Sequence, residues 1–537
     1  MSGHSLLESD PVTFEVVRNS LYAICEEMKS VLIRTSFSPL LSLSADLSCA
    51  ILDQDGNVAA QGNDIPVHLG AMPFTGRAVL DAFPLSTWSE GDAVLLNDPY
   101  LGGTHLPDMS LVSPVYCAGL LTAFVATRVH WPDVGGITAG SSSISDEIIK
   151  EGLRIPPVKI MDRGRVCEDL LRLILANVRI PKDRLGDFRA QQAANLRGVS
   201  RLAEVAGTYG RDALVVVLRE SQAYSHLKVR KRLESLDDCD VTWTESLDGD
   251  GYEPEGAQGL KIVARVIKSG CNFTVDFTGS SPAARGPVNA PLPVTASAVY
   301  YTLLGFAGGG IPPNSGAYTV ATVIAPEGSI VNARYPSPVV AANTETSNRI
   351  VDILLAALGQ AYPDMVPAGS YGSACVYTLG GRDASRGRSF VHYETIGGGM
   401  GAREGHNGLH GIRVHMGNTM NLPMEALEAS MPIRFVEYRI VRDSGGRGRW
   451  QGGGGCSKVI EMLEDGISLS VLGERTQSAA HGIGGGGSGG RARFAIVDAA
   501  GDRRVLSSKS GPHALNAGDR VELQTAGGGG WGGKSGN

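Results

Sequence analysis

Apolar residues recur at helical spacing along VTFEVVRNSLYAICEEMKSVLIRTS (12–36), just after Pro11, so a helix is expected there. The period then changes. LSCAILDQDGNVAAQG (47–62) carries two apolar runs around Asp55-Gly56, which predicts a hairpin. GDAVLLNDPY (91–100) and LLTAFVATRVHW (120–131) have the composition of buried strands. Helical spacing returns over 183–235. From CNFTVDFTG (271–279) onward, strands and glycine turns are expected to dominate, broken by one helix in TSNRIVDILLAALGQAY (346–362). The pattern predicts an α+β fold: a multi-domain subunit with a mixed or antiparallel sheet core, helical segments and a glycine-rich β C-terminal region. The expected units are an α+β domain at 1–205, a central helical and β domain at 206–435 with a glycine-built pocket loop, and a glycine-rich β domain at 436–537.

Composition narrows the class. Hydrophobic and charged shares of 42% and 19% are those of an ordinary globular protein. A net charge of −7 argues against a nucleic-acid partner, and the densest basic run, HLKVRKRLE (226–234), reads as the solvated face of a helix. No run approaches the ~20 apolar residues that span a bilayer, so no membrane partner is expected. The stretch MSGHSLLESDPVTFEVV lacks an apolar signal core and eight scattered cysteines form no C-x-x-C pair, which points to reduced thiols in the cytoplasm. Glycine is the anomaly: 71 residues, clustered late as GGGM, GGRGRWQGGGG, GIGGGGSGG and AGGGGWGG. In the last cluster Gly528, Gly533, Lys534 and Ser535 spell a phosphate-loop pattern. Such a loop needs a helix starting at its Lys-Ser end, and only Gly536 and Asn537 follow, so ATP is not expected to bind there.

Candidate chemistry concentrates at the ends of the predicted strands. LLNDPYLGGTHLPDMSLVSPV (95–115) offers Asp98, His105 and Asp108, and RVHWPDVGG (128–136) offers His130 and Asp133. Imidazole and carboxylate are the usual ligands of zinc and similar divalent ions, and ligands at strand ends have a rigid frame. Asp46 precedes an apolar strand, and His68 in IPVHLG is expected in a similar strand-end setting. The same residues also fit a plainer reading, in which a histidine beside a Gly-Gly turn is structural and Asp98 before Pro99 caps a turn. A second polar cluster, ETIGGGMGAREGHNGLHGIRVHMGNTMNLPMEALE (394–428), includes Arg403, His406, Asn418 and Glu425. Its glycines suggest a loop lining a pocket, with those four residues and His68 as candidate substrate contacts.

NDPYLGGTHLPD, HWPDVGG, IPVHLG, NTETSNRIVD, GNTMNLPMEALE and GGGGWGG together resemble the hydantoinase B family, in order and over nearly the whole chain. That family includes the B subunits of ATP-dependent hydantoinases and caprolactamase, the C-terminal part of 5-oxoprolinase, and a subunit of acetone and acetophenone carboxylases. The resemblance implies one divalent metal, zinc or manganese, held by Asp46, His105, Asp108 and His130, with Asp133 or Asp98 as general base or support. It implies a hydantoinase A-type partner with an actin-like ATPase fold, in a heterotetramer or larger assembly. The partner binds ATP and phosphorylates the carbonyl oxygen of a small-molecule cyclic amide; this subunit then opens the ring with a metal-activated water. Two alternatives share the scaffold: a subunit of an ATP-dependent ketone carboxylase, and a non-catalytic partner of the ATPase. One departure stands out: SPLLSLSADLS (38–48) carries no charge before Asp46, where relatives usually have charged residues.

Overall fold

The computed structural model of the chain describes residues 6–252 and 259–533. Its first long helix, Pro11–Thr35, begins at Asp10, whose carboxylate accepts from Thr13 N at 3.1 Å. Phe14, Val17, Leu21, Ile24, Met28 and Leu32 recur every three or four residues and form its buried stripe. That stripe and the helix Pro181–Tyr209 cover one face of a seven-stranded sheet. The strands are β1 (Leu47–Leu52), β2 (Val58–Gln61), β3 (Ala93–Leu96), β4 (Asp108–Cys117), β5 (Leu120–His130), β6 (Val158–Asp162) and β7 (Arg165–Val166). They run antiparallel in the order β2-β1-β5-β4-β3-β6-β7.

Side chains alternate across this sheet. Cys49, Ile51, Leu95, Leu111 and Val125 join the core under the two long helices, whereas Ala50, Leu52, Val94, Val112 and Phe124 meet the helix Pro66–Ala82 on the opposite face. Both faces are therefore buried, which is why these strands read as continuous apolar runs. The register has a functional consequence. Asp108, the first residue of β4, lies opposite His130, the last of β5, and Leu47 of β1 pairs with Val129. Asp46, Asp108 and His130 are thus gathered at one end of these three neighbouring strands.

A second, mixed sheet of Cys239–Leu247, Leu260–Ser269, Asn272–Asp276 and Ala321–Ile324 contains one parallel pairing, between the last two strands. Two helices pack near it, Leu292–Ala307 and Ser347–Ala361. The first corrects the expectation of a single helix beyond residue 271. LPVTASAVYYTLLGFA is β-branched, aromatic and apolar around most of its circumference because it is a buried helix, and such a helix shows no polar face in the sequence. His68 is a correction too: it sits in the first turn of the helix Pro66–Ala82, not at a strand end. Pro66 at the first helical position is the signal for that start.

The C-terminal region holds a four-stranded sheet, with Val376–Asp383 between Arg388–Thr395 and Ile467–Leu472, and a five-stranded one. The expected boundary at 435 runs through the first of these, because residues 376–380 hydrogen-bond to 468–472. Between the sheets, the late glycine clusters run side by side without regular secondary structure. The segment 527–533 is hydrogen-bonded to 399–402, 446–453 and 483–490, as in Gly446 N to Gly528 O at 2.8 Å and Gly528 N to Gly453 O at 2.9 Å. A Cβ on Gly528 would stand 2.1 Å from the Met400 carbonyl oxygen, so close packing of backbone on backbone selects glycine there. The apparent phosphate loop is part of this bundle up to Gly533; Lys534 and Ser535 lie outside the described residues. All eight cysteines are free, five of them buried. Among the described residues, no helix is long and apolar enough to cross a membrane.

Candidate functional site

The end of the sheet carrying Asp108 and His130 is closed by the turn after β3. Asp98 caps it, accepting from Tyr100 N at 3.0 Å, and Gly102 reverses it at φ +92°. A Cβ on Gly102 would stand 2.5 Å from Phe74 O, so this turn can lie against the helix Pro66–Ala82 only with glycine. The turn delivers His105 beside Asp108. Arg128, fully buried on β5, donates to Ser110 Oγ at 2.8 Å, to the Gly102 carbonyl at 3.1 Å and to the His68 carbonyl at 3.2 Å. It ties strand, turn and helix together beneath the site, and burial pushes its guanidinium down to about 10.

Asp108 is completely buried and faces three imidazoles. His105 Nε2 lies 3.0 Å and His130 Nδ1 3.3 Å from its Oδ1, and His68 Nε2 lies 3.2 Å from its Oδ2. Oδ2 also accepts from Thr104 Oγ1 and from Asn343 Nδ2, the latter at 3.1 Å. Each ring is oriented from behind. His105 Nδ1 donates to the Val340 carbonyl at 3.2 Å, and His68 Nδ1 meets Ser48 Oγ at 3.3 Å. His130 packs against Tyr393, with ring centroids 4.2 Å apart and planes tilted by 33°. Burial pushes the Asp108 carboxyl up, but the charges of His105 and His68 beside it hold it well below the usual range. Burial works against protonation of His105 as well, but Asp108 outweighs it and the imidazole is raised; at His130 burial wins and the imidazole is lowered.

Two features show that these residues fit a divalent ion. The ligand atoms of His105, Asp108 and His130 all lie within 4.8 Å of one another, with His105 Nε2 and His130 Nδ1 only 3.2 Å apart. Asp108 Oδ1 and His130 Nε2 are buried without a hydrogen-bond partner, since the imidazole contacts to Oδ1 are not at hydrogen-bonding angles. A buried unsatisfied carboxylate oxygen between two ring nitrogens is costly unless a cation completes it. Nitrogen and carboxylate donors suit zinc or manganese.

The structure sorts the other expected residues. His68, read as a substrate contact, belongs to the cluster. Asp46 Oδ1 stands 3.9 Å from His68 Nε2, and its carboxylate lines a small pocket of about 40 Å³ that opens beside the cluster. Asp98 and Asp133 are engaged elsewhere. Asp98 caps its turn and pairs with Arg154 at 3.2 Å; Asp133 takes Arg179 N at 2.8 Å and Arg179 Nη1 at 2.7 Å. Arg403, His406 and Glu425 are exposed and line neither this pocket nor the cavity beside it. Asn418 lines that cavity, of about 720 Å³, and donates to the Asn63 and Asp64 carbonyls at 3.3 Å.

Several contributors escape a reading of the sequence. Asn343 comes from the π turn Ala342–Thr346, more than 230 residues from Asp108, and the only hint was its place in NTETSNRIVD. Glu151 is buried and accepts from Ser145 Oγ at 2.8 Å, Val339 N at 2.9 Å and Val340 N at 3.1 Å, which fixes the carbonyl that orients His105. Burial pushes its carboxyl up to about 7.

The family model for hydantoinase B/oxoprolinase matches residues 10–534. A 5-oxoprolinase of Dictyostelium discoideum is 33% identical over 98% of this chain, which spans only 41% of that protein. A protein of Pseudomonas sp. strain NS671, assigned as the B-type component of a D-/L-hydantoinase, is 31% identical over 98% of this chain and 90% of its own. The solved ATP-dependent caprolactamase from Pseudomonas jessenii has a TM-score of 0.90 at 29% identity, covering 98% of this chain and 91% of that one. Acetone carboxylase in its nucleotide-free form reaches 0.89 at 18% identity, covering 99% and 77%, a likeness of fold alone. With a match over nearly its full length, the chain belongs to the hydantoinase B/oxoprolinase family.

Proposed function

We propose that this chain is the hydrolytic subunit of an ATP-dependent hydantoinase-type amidohydrolase. It opens a cyclic amide (a hydantoin, N-methylhydantoin or oxoproline-like ring) after a partner ATPase subunit phosphorylates the carbonyl oxygen. The observation that carries this reading is the buried Asp108 cluster beside a small pocket. The hydantoinase and caprolactamase relatives, each matched over about nine tenths of its length, support the substrate class.

His105, Asp108 and His130 would hold a divalent ion, zinc or manganese, with His68 and Asp46 beside them. When bound, the ion supplies a Lewis acid that acidifies water and polarises oxygen. The chain's own residues do the rest. The Val340 carbonyl keeps the proton of His105 on Nδ1, so Nε2 presents a lone pair to the site. Asp46, the cluster carboxylate that lines the pocket, accepts the proton of the attacking water at Oδ1 or Oδ2. Tyr393 packs against His130 and forms part of the wall of the pocket beside the cluster.

The test is co-expression with the cognate ATPase subunit, hydantoin and ATP, with the N-carbamoyl product followed by chromatography. His105→Ala is expected to lose the metal, read by elemental analysis, and to lower ring opening at least a hundredfold while ATP consumption continues. Undiminished ring opening in the variant would make this chain a non-catalytic partner. ATP use that requires bicarbonate and acetone would instead establish the carboxylase reading.

A further inference from the structure

The 40 Å³ pocket and the 720 Å³ cavity share Arg413, Val414 and Gly417 as wall. Arg413 is half-buried there, and its guanidinium is held by neutral acceptors alone. Nε donates to Thr395 Oγ1 at 3.1 Å, Nη2 to the Thr395 carbonyl at 2.6 Å and Nη1 to Asn421 Oδ1 at 2.5 Å. Among the described residues no carboxylate pairs with it, although the fully buried Arg349 and Arg475 each pair with two. Three of its five N–H groups are used, so two remain for a ligand.

Its anchor also places it beside the chemistry. Tyr393 and Thr395 are two residues apart on the strand Arg388–Thr395, so their side chains share a face about 7 Å apart. Tyr393 packs against His130 and Thr395 grips Arg413. The guanidinium therefore borders the same small pocket as His130 and Asp46, at its junction with a cavity walled by Tyr300, Tyr301 and Phe306. A planar cation without a counter-charge, on an aromatic-walled cavity, matches a flat ring bearing an anionic oxygen group.

Building on the cyclic-amide reading, we infer that Arg413 recognises an anionic oxygen group on the substrate, either a ring carboxylate or the phosphoryl group placed on the amide oxygen. The ring then lies between Arg413 and the cluster, with its scissile carbonyl toward Asp46. Arg413 selects and positions the substrate without touching the bond that breaks.

Calorimetric titration of the full chain, without ATP or partner, tests this with two probes: hydantoin-5-acetate and inorganic phosphate. Arg413→Gln is expected to weaken binding of at least one probe tenfold or more with the melting temperature unchanged. Loss for phosphate alone assigns the residue to the phosphoryl group; loss for hydantoin-5-acetate alone assigns it to a ring carboxylate. Equal affinities in variant and wild type, or no binding of either probe by wild type at millimolar concentration, overturn the inference. Arg413→Lys keeps the charge and loses the fork, so it is expected to weaken binding about threefold; no change there also overturns it, even if the Gln variant fails to fold. Because no turnover is measured, failure here leaves the ring-opening assay to stand or fall separately.

Discussion

Glu345 lies two residues beyond Asn343, fully buried, with its Oε2 accepting from Ser373 Oγ of the pocket wall and its Oε1 without a partner. Burial pushes its carboxyl up to about 8; the charge of Lys509 and the Ser373 hydrogen bond only moderate the rise. A raised acid is held protonated by the folded chain, so the folded state binds the extra proton. Its contribution to stability is whole below the ordinary value of 4.5 and is lost as pH rises toward about 8. Glu345→Gln, a neutral isostere, should therefore gain stability over wild type as pH rises through that window, by at most about 1.4 kcal/mol per pH unit. Urea unfolding at three pH values checks this, and a difference independent of pH would sink it. Residues of this kind were the least legible in the sequence. His105, Asp108 and His130 were readable because a turn or a strand end frames each of them. Glu345, Asn343 and Glu151 gain their roles only from partners far away in the chain, and the arginines that pair with Asp98 and Asp133 likewise come from loops the pattern does not connect to them.

Among the elements, the glycine segments show most directly how composition becomes structure. A strand can carry side chains because sheets leave room on both faces; three backbone segments packed around 527–533 leave none. Gly528→Ala places a methyl 2.1 Å from Met400 O and 2.6 Å from Gly401 N, backbone atoms that cannot step aside. A loss of about 3 kcal/mol or more is expected from such overpacking. Gly207→Ala serves as the opposite case. It lies exposed in the helix Pro181–Tyr209 with nothing within 4 Å of the new methyl, so a gain of up to about 1 kcal/mol is expected. Denaturant midpoints decide both, and equal effects would mean that chain entropy, not backbone contact, selects glycine in the bundle. The long helices and the strands β1, β3 and β5 were visible as period and composition. The bundle was visible only as clusters, since glycine has no side chain whose pattern could report which segments lie together.

At the scale of the whole molecule, a chain of buried ion pairs joins regions that the sequence suggested were separate. Arg349 of the helix Ser347–Ala361 pairs with Glu474 at 2.6 Å and with Glu245 of the strand Cys239–Leu247 at 3.1 Å. Arg475 pairs with the same Glu245 at 3.1 Å and with Asp352 at 2.7 Å, and Lys509 closes on Glu474. Asp352 in turn holds His415 at 2.9 Å, two residues beyond Arg413, where the chain takes a positive φ of 55°. The network therefore reaches from the middle sheet through a helix to the C-terminal sheet and to the cavity wall. Burying these charges is repaid only while every partner is present, so removing one is far worse than never having built the pair. Glu474→Gln would leave Arg349 with one carboxylate and Lys509 with none, both in places without water access. The expected loss is about 3–5 kcal/mol. If the network couples the regions, urea unfolding should remain a single transition at a lower midpoint. A stable first region with an early-melting C-terminal sheet would show instead that the regions fold independently and that the network only fastens the segment carrying Arg413 to the helix Ser347–Ala361.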